Sequence, residues 1–79
     1  MKRQEFINEL VTECELEGGP YDPSTVLNSI EGFDSLTVLS IIAYVDEKFS
    51  KKIPADQIAK LKDFNSLINE IGTSYFEDV

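Results

Sequence analysis

The chain has 79 residues, 42% of them apolar and 28% charged, a composition typical of one small soluble domain. Its formal net charge of −8 argues against nucleic acid and anionic membranes as partners and favours basic ones, since phosphate contacts need Lys and Arg. Without His, the chain cannot build a Ser-His-Asp triad or an imidazole metal site. No membrane-spanning segment or secretion signal is visible. We therefore expect a non-catalytic, cytoplasmic monomer that forms a single domain over residues 1–79.

Apolar residues at three- and four-residue spacing predict a first amphipathic helix over roughly residues 2–16. Its inner face comprises Phe6, Ile7, Leu10, Val11 and Cys14. The lone Cys14 is expected to be a small core hydrophobe. Gly18-Gly19-Pro20 is expected to end the helix, because Gly favours a helix stop and Pro cannot continue a helix.

A long loop is predicted from Tyr21 to Phe33, with turn signals at Asp22-Pro23-Ser24 and Glu31-Gly32. Loops of this length are often functional. Three apolar residues within it could form a helical turn that pins the loop to the core. They are Val26, Leu27 and Ile30.

A second helix is predicted over residues 35–49, with Asp34 as its N-cap. The β-branched content also suggests a strand, but fifteen residues with a capped start favour a helix. Its apolar residues are Leu36, Leu39, Ile41, Ile42, Ala43, Val45 and Phe49. Because they surround most of the helix, we expect it to be the central and most buried one.

Two further helices complete the chain: a short one over residues 56–61, and a last one capped by Asp63. The inner face of the last helix comprises Leu67, Ile68 and Ile71. It either ends at Gly72 or continues to Tyr75 and Phe76. The tail from Glu77 to Val79 is expected to fray. The predicted fold is all-α, a small antiparallel bundle of three main helices and the short third helix.

Asp34-Ser35-Leu36 is the most informative motif in the chain. Asp34 can accept hydrogen bonds from the first-turn N–H groups, which leaves Ser35 at the positive end of the helix with its hydroxyl in solvent. A phosphodiester on that hydroxyl would lie where N–H groups and the helix dipole favour an anion. The motif therefore indicates a phosphate-bearing modification of Ser35, although an ordinary helix cap would have the same sequence.

The motif does not stand alone, and together with three further segments the chain resembles the acyl carrier proteins. The segments are Gly32-Phe33-Asp34-Ser35-Leu36, Asp46-Glu47-Lys48-Phe49, Lys52-Ile53-Pro54, and Lys62 to Ile68. Order and spacing match from Phe33 to Ile71. The resemblance implies that a phosphopantetheinyl transferase attaches 4′-phosphopantetheine to Ser35, between Asp34 and Leu36. The thiol of that arm would hold an acyl group as a thioester.

The resemblance also implies partners, namely acyl-transferring, condensing or ligase enzymes of fatty-acid, polyketide-like or specialised lipid biosynthesis. They would bind the second and third helices. The residues implied are Leu36, Leu39, Ala43, Asp46, Glu47 and Asp56. The acyl chain could lie between the helices, lined by residues that are otherwise ordinary core. They are Leu39, Ile42, Ala43, Ile53 and Ile58.

The chain departs from this family in its charges. Positions that are acidic in many carriers are occupied by Thr37, Ser40, Ala55 and Ala59. The segment also holds five of the seven cations, Lys48, Lys51, Lys52, Lys60 and Lys62. The recognition surface should therefore be near neutral or locally positive, which predicts a specialised carrier with dedicated partners. Tyr44 replaces the more usual Ala and is either a core residue or a partner anchor.

Three alternatives remain open. An aminoacyl or peptidyl carrier would more often have Gly-Gly-His/Asn before its serine, so Asp34 favours the acyl class. A helical interaction module would use Ser35 only within a cap. An acidic mimic of nucleic acid would need a continuous acidic face, which the cations of residues 48–62 interrupt.

Overall fold

The computed structural model describes residues 1–78 and contains four α-helices. They are α1 (Arg3–Glu13), α2 (Ser35–Phe49), α3 (Ala55–Ala59) and α4 (Phe64–Ile71). Single 3₁₀ turns lie at Leu27–Ser29 and Thr73–Tyr75. Over residues 1–78 there is no strand, only an isolated bridge between Val26 and Asp63, so the all-α prediction is confirmed. None of the helices in these residues has the length and apolar character that a membrane crossing requires.

Helix α1 ends earlier than predicted, at Glu13 and not near residue 16. Glu15 adopts a left-handed conformation with φ of 54°. The N–H of Glu15 donates to the carbonyl of Thr12 at 3.3 Å, and that of Leu16 donates to Val11 at 3.0 Å. These two bonds form a Schellman motif, which satisfies the last carbonyls of the helix. The chain therefore leaves the helix before it reaches Gly18-Gly19-Pro20, which the sequence had suggested as the stop.

The long loop is held against the core as predicted, by the 3₁₀ turn at Leu27–Ser29. Leu27 and Ile30 are buried, whereas Val26 is 39% exposed and does not contribute. Backbone bonds fix the loop to the segment before α4, because the N–H of Leu27 donates to the carbonyl of Lys62 at 2.9 Å. The loop thus has a defined path up to the start of α2.

Helix α2 has the predicted bounds, but it is not the most buried helix. It buries only Thr37, Ile41 and Val45, a stripe at four-residue spacing. Helix α4 buries four of its eight residues, Phe64, Leu67, Ile68 and Ile71. The apolar residues of α2 outnumber those that the small core can cover, so several remain on the surface.

Helix α3 spans one residue earlier and two fewer at its end than predicted, with Ile58 buried within it and Leu61 buried just after it. Helix α4 ends at Gly72, whose φ of 124° breaks the helix. Phe76 then returns to the core, where its ring centroid lies 5.4 Å from that of Phe6.

The predicted fraying of the tail is wrong for Glu77 and Asp78. The N–H of Glu77 donates to the carbonyl of Met1 at 3.0 Å, and the N–H of Arg3 donates to Asp78 Oδ1 at 3.0 Å. The two ends of the described chain therefore lie together. Val79 is outside the described residues.

Candidate functional site

The loop reaches α2 through a cap built on Asp34. Its Oδ1 accepts the N–H of Thr37 at 3.0 Å, and its carbonyl accepts the N–H of Val38 at 3.0 Å. Asp34 has the extended backbone of an N-cap, with φ of −131°. The predicted cap is confirmed, and it places Ser35 as the first residue of a fifteen-residue helix.

Thr37 fixes the same turn from inside. It is buried, and its hydroxyl donates to the carbonyl of Gly32 at 3.1 Å. Gly32 has φ of +83° with no atom near its missing Cβ, so the turn needs glycine for its backbone and not for space. Sequence comparison had suggested Thr37 as a surface position of the recognition face. The structure instead gives it a buried role in holding the loop to the helix.

Ser35 is exposed, and its hydroxyl forms no hydrogen bond within residues 1–78. The start of α4 offers a comparison, because Asp63 caps it in the same way and accepts the N–H of Ser66 at 2.9 Å. There, however, the Ser66 hydroxyl also donates to Asp63, at 2.9 Å. Of the two capped helix starts, only α2 presents a serine hydroxyl that is free to react.

The first two N–H groups of α2 have no acceptor within the described residues, since Asp34 takes those of Thr37 and Val38. These orphan donors, with the dipole of a helix fifteen residues long, favour an anion beside Ser35. A phosphate attached to the Ser35 hydroxyl would lie within reach of the N–H groups of Ser35 and Leu36.

A groove of about 530 Å³ opens directly beside Ser35, between the start of α2 and helix α3. Its wall is mainly apolar, with three polar residues including Ser35 itself. The lining residues are Asn28, Phe33, Ser35, Val38, Leu39, Ala55, Asp56 and Ala59. Ala55 and Ala59 lie four residues apart, so their small side chains share one face of α3 and leave room for the groove. A flexible arm attached at Ser35 could lie along this groove.

The structure brings together only some of the residues that the sequence suggested as partner contacts. Leu39 and Asp56 line the groove with Ser35, and Leu36 is exposed on the same helix. Leu36 and Leu39 are 71% and 56% exposed, which is unusual for leucine on a small domain. They form, with the groove, the surface called the recognition surface below.

The other suggested contacts lie away from the groove. Ala43 and Glu47 are exposed and line a separate cleft of about 220 Å³ on the α1 side of α2, and Asp46 is half-buried. Of the residues suggested to line an acyl cavity, only Leu39 borders the groove. Ile53 and Ile58 are core residues, and Ile42 is half-buried.

Three groove residues had not been singled out from the sequence, namely Asn28, Phe33 and Val38. Asn28 lies beside Leu27, which the core buries, so the same turn that pins the loop also places Asn28 at the groove. Phe33 directly precedes the cap. Only the packing of the loop against α3 shows that these positions meet.

On the opposite side of α2, the contact with α1 includes an ion pair. Lys48 Nζ lies 2.9 Å from Glu9 Oε1, and hydrogen bonding to Lys48 lowers the pKa of Glu9. Tyr44 packs half-buried beside them, with its ring centroid 6.0 Å from that of Phe6. Burial, reinforced by Glu9, raises the pKa of Tyr44. Tyr44 is thus part of the α1–α2 packing.

Cys14 belongs to the same packing, as the sequence predicted. It is half-buried against the core, and burial raises the pKa of its thiol to about 11. A thiol with so high a pKa is almost entirely protonated at neutral pH, so it behaves as a small hydrophobe.

A free serine hydroxyl at a capped helix start, beside orphan N–H donors and an apolar groove, defines a protein suited to carry a phosphate-linked arm. Residues 4–71 match the protein family described as "Phosphopantetheine attachment site", and the chain belongs to that family. Its domain is the site for covalent attachment of 4′-phosphopantetheine, and domains of this kind are non-catalytic carriers. No similar protein was found among the curated proteins or among the solved structures.

Proposed function

We propose that this chain is an acyl carrier protein whose 4′-phosphopantetheine is attached to Ser35. The arm supplies a thiol that holds an acyl group as a thioester. The observation that carries the proposal is the free hydroxyl of Ser35 at the first position of α2, next to the orphan N–H groups and the groove. The N–H groups of Ser35 and Leu36 would bind the phosphate, and Asp34 would keep the turn that exposes the serine.

Other exposed serines lack one or more of these features. Ser40 lies in the body of α2, where backbone N–H groups are taken by the helix, and Ser24 donates its hydroxyl to Asp22 at 2.8 Å. Only Ser35 combines an exposed hydroxyl, a helix start and the edge of the groove. This combination supports Ser35 as the attachment residue.

The acyl class is preferred because Asp34 precedes the serine, where peptidyl carriers more often have His or Asn. We further propose that residues 1–79 form one domain with the four helices in an antiparallel bundle. Partner enzymes would include a phosphopantetheinyl transferase and acyl-transferring, condensing or ligase enzymes. They would contact Leu36, Leu39 and Asp56 at the recognition surface, with Ala43, Asp46 and Glu47 further along α2.

The deciding experiment is intact-mass analysis after incubation with coenzyme A and a broad-specificity phosphopantetheinyl transferase. The wild type should gain one phosphopantetheine, and Ser35→Ala should gain none. Ser40→Ala is the matched control, because it removes an exposed hydroxyl from the same helix and should be modified as fully as the wild type. Modification of Ser35→Ala, or none of a folded wild type, would contradict the assignment.

The pathway is addressed by loading. The near-neutral recognition surface supports a specialised carrier with dedicated partners, in a polyketide-like or modified-lipid pathway. The modified protein should then be a poor substrate for a general malonyl transferase at ordinary salt. Efficient malonylation would overturn the specialised role, and loading by an amino-acid-activating enzyme would favour the aminoacyl alternative.

A further inference from the structure

The charge of this protein is divided unevenly between two parts of the chain. Residues 27–62, which carry α2, α3 and the groove, contain five acidic and five basic residues and have no formal net charge. The remaining residues contain ten acidic and two basic residues and hold the entire formal charge of −8. The surface around Ser35 is therefore electrically unlike the rest of the molecule.

Two lysines lie at the end of the groove where α3 stops. Lys60 is the C-cap residue of α3 and directly follows Ala59, which lines the groove. Lys62 accepts the N–H of Leu27 on its carbonyl at 2.9 Å, next to Asn28 in the groove lining. Both lysines are exposed, and neither pairs with an acidic side chain within residues 1–78.

The acidic groups nearby do not neutralise these lysines. Asp34 and Asp63 direct Oδ1 to helix N–H groups, of Thr37 and Ser66 respectively. Asp56 is the single acidic residue that lines the groove. At this end of the recognition surface two unpaired positive charges therefore adjoin an apolar patch that includes Leu39.

We infer that the partner of this carrier covers the recognition surface with an apolar patch and places acidic side chains opposite Lys60 and Lys62. This inference rests on the proposed function, because it specifies the partner of the surface beside Ser35. A basic patch would be repelled by the lysines on arrival, whereas acidic groups would pair with them. The negative charge elsewhere opposes an acidic partner at long range. Screening over about 8 Å at physiological ionic strength reduces that opposition across a molecule 20 to 29 Å wide.

Two synthetic amphipathic helical peptides with the same leucine face test the inference, one flanked by glutamates and the other by lysines. Each is titrated at about 0.15 M salt into the ¹⁵N-labelled, unmodified protein, and binding is followed from the amides of Leu39 and Ala59. We expect the glutamate peptide to bind about tenfold more tightly at these amides. Tighter binding of the lysine peptide there, or no shift of these amides with either peptide, would overturn the inference.

Charge-changing variants locate the effect. Lys60→Glu should weaken the glutamate peptide about threefold, a change of the size that one exposed ion pair produces, and Asp56→Lys should strengthen it. Lys2→Glu is the matched control, since it makes the same change in net charge on an exposed residue that does not line the groove, and it should leave the affinity unchanged. An equal loss with Lys2→Glu would attribute the effect to net charge and reject the local contact.

The peptide experiment uses protein without its arm, so its result does not depend on attachment at Ser35. Modification of Ser35 with no preference for the glutamate peptide would reject this inference and leave the carrier function standing. A lack of modification would reject the carrier function, whatever the peptides show.

Discussion

The cap at the start of α2 can be separated into a structural and a functional contribution by a pair of matched substitutions. Asp34→Ala removes the acceptor of the Thr37 N–H, and Asp63→Ala removes the equivalent acceptor of the Ser66 N–H. The two bonds have nearly the same length, 3.0 and 2.9 Å. Loss of an N-cap side chain costs about 1 kcal/mol. We therefore expect both variants to lose about that much free energy of unfolding.

The size of the thermal effect follows from the length of the chain. A domain of 79 residues has an unfolding entropy of roughly 0.17 kcal/mol per degree, so 1 kcal/mol lowers Tm by about 6 °C. Thermal unfolding followed by circular dichroism measures this shift. Asp34→Asn should restore most of the loss, because Asn caps a helix about as well as Asp.

The two variants should differ in modification by the phosphopantetheinyl transferase. Only Asp34 fixes the turn that exposes Ser35, so Asp34→Ala should lower kcat/KM for arm transfer, whereas Asp63→Ala should leave it near the wild-type value at a temperature where both are folded. Equal slowing by the two variants would mean that stability alone controls the reaction. No loss of stability in Asp34→Ala would refute the cap argument itself.

Three further predictions test the packing. Ile41→Ala should cost about 2–4 kcal/mol of unfolding free energy because its side chain is fully buried, whereas Leu39→Ala, 56% exposed, should cost less than about 0.5 kcal/mol by urea denaturation. Lys48→Met should remove a small stabilisation, at most about 0.5 kcal/mol for so exposed a pair, that exists above the ordinary carboxyl pKa and disappears as pH falls through the lowered pKa of Glu9; a loss that persists in acid would contradict the ion pair. Cys14 should react with a disulfide reagent about 100-fold more slowly in the folded protein than in denaturant at pH 8, since its pKa rises from 9.0 to about 11; equal rates would show an exposed thiol.

Local signals in the sequence sufficed for the helix starts. Asp34 and Asp63 each precede an apolar periodic run, and both act as N-caps whose side chains accept the N–H three residues later. The bounds of α2 were predicted correctly for that reason. The helix ends were harder, because α1 stops at a left-handed Glu15, a conformation that glutamate rarely adopts and that no local pattern indicated.

Burial was the part that the sequence could not supply. Helix α2 contains more apolar residues than α4, and so it was expected to be the central helix, yet a core of this size covers only one stripe of it. Likewise, the groove depends on contact between the loop at Asn28 and helix α3, which are distant in sequence. The position of Ser35 could be predicted from its own motif, but its surroundings required the fold.

The narrow buried stripe of α2 also explains how one helix can be both a structural element and a docking surface. Thr37, Ile41 and Val45 hold the helix to the core and to the preceding turn, so the stability of α2 does not depend on its other faces. Leu36 and Leu39 are therefore free to remain exposed beside the serine. A carrier must be recognised by several enzymes in succession, and each contact must release again. An exposed apolar surface of modest size on a rigid helix meets that requirement, because it gains affinity by burial without any change in the fold.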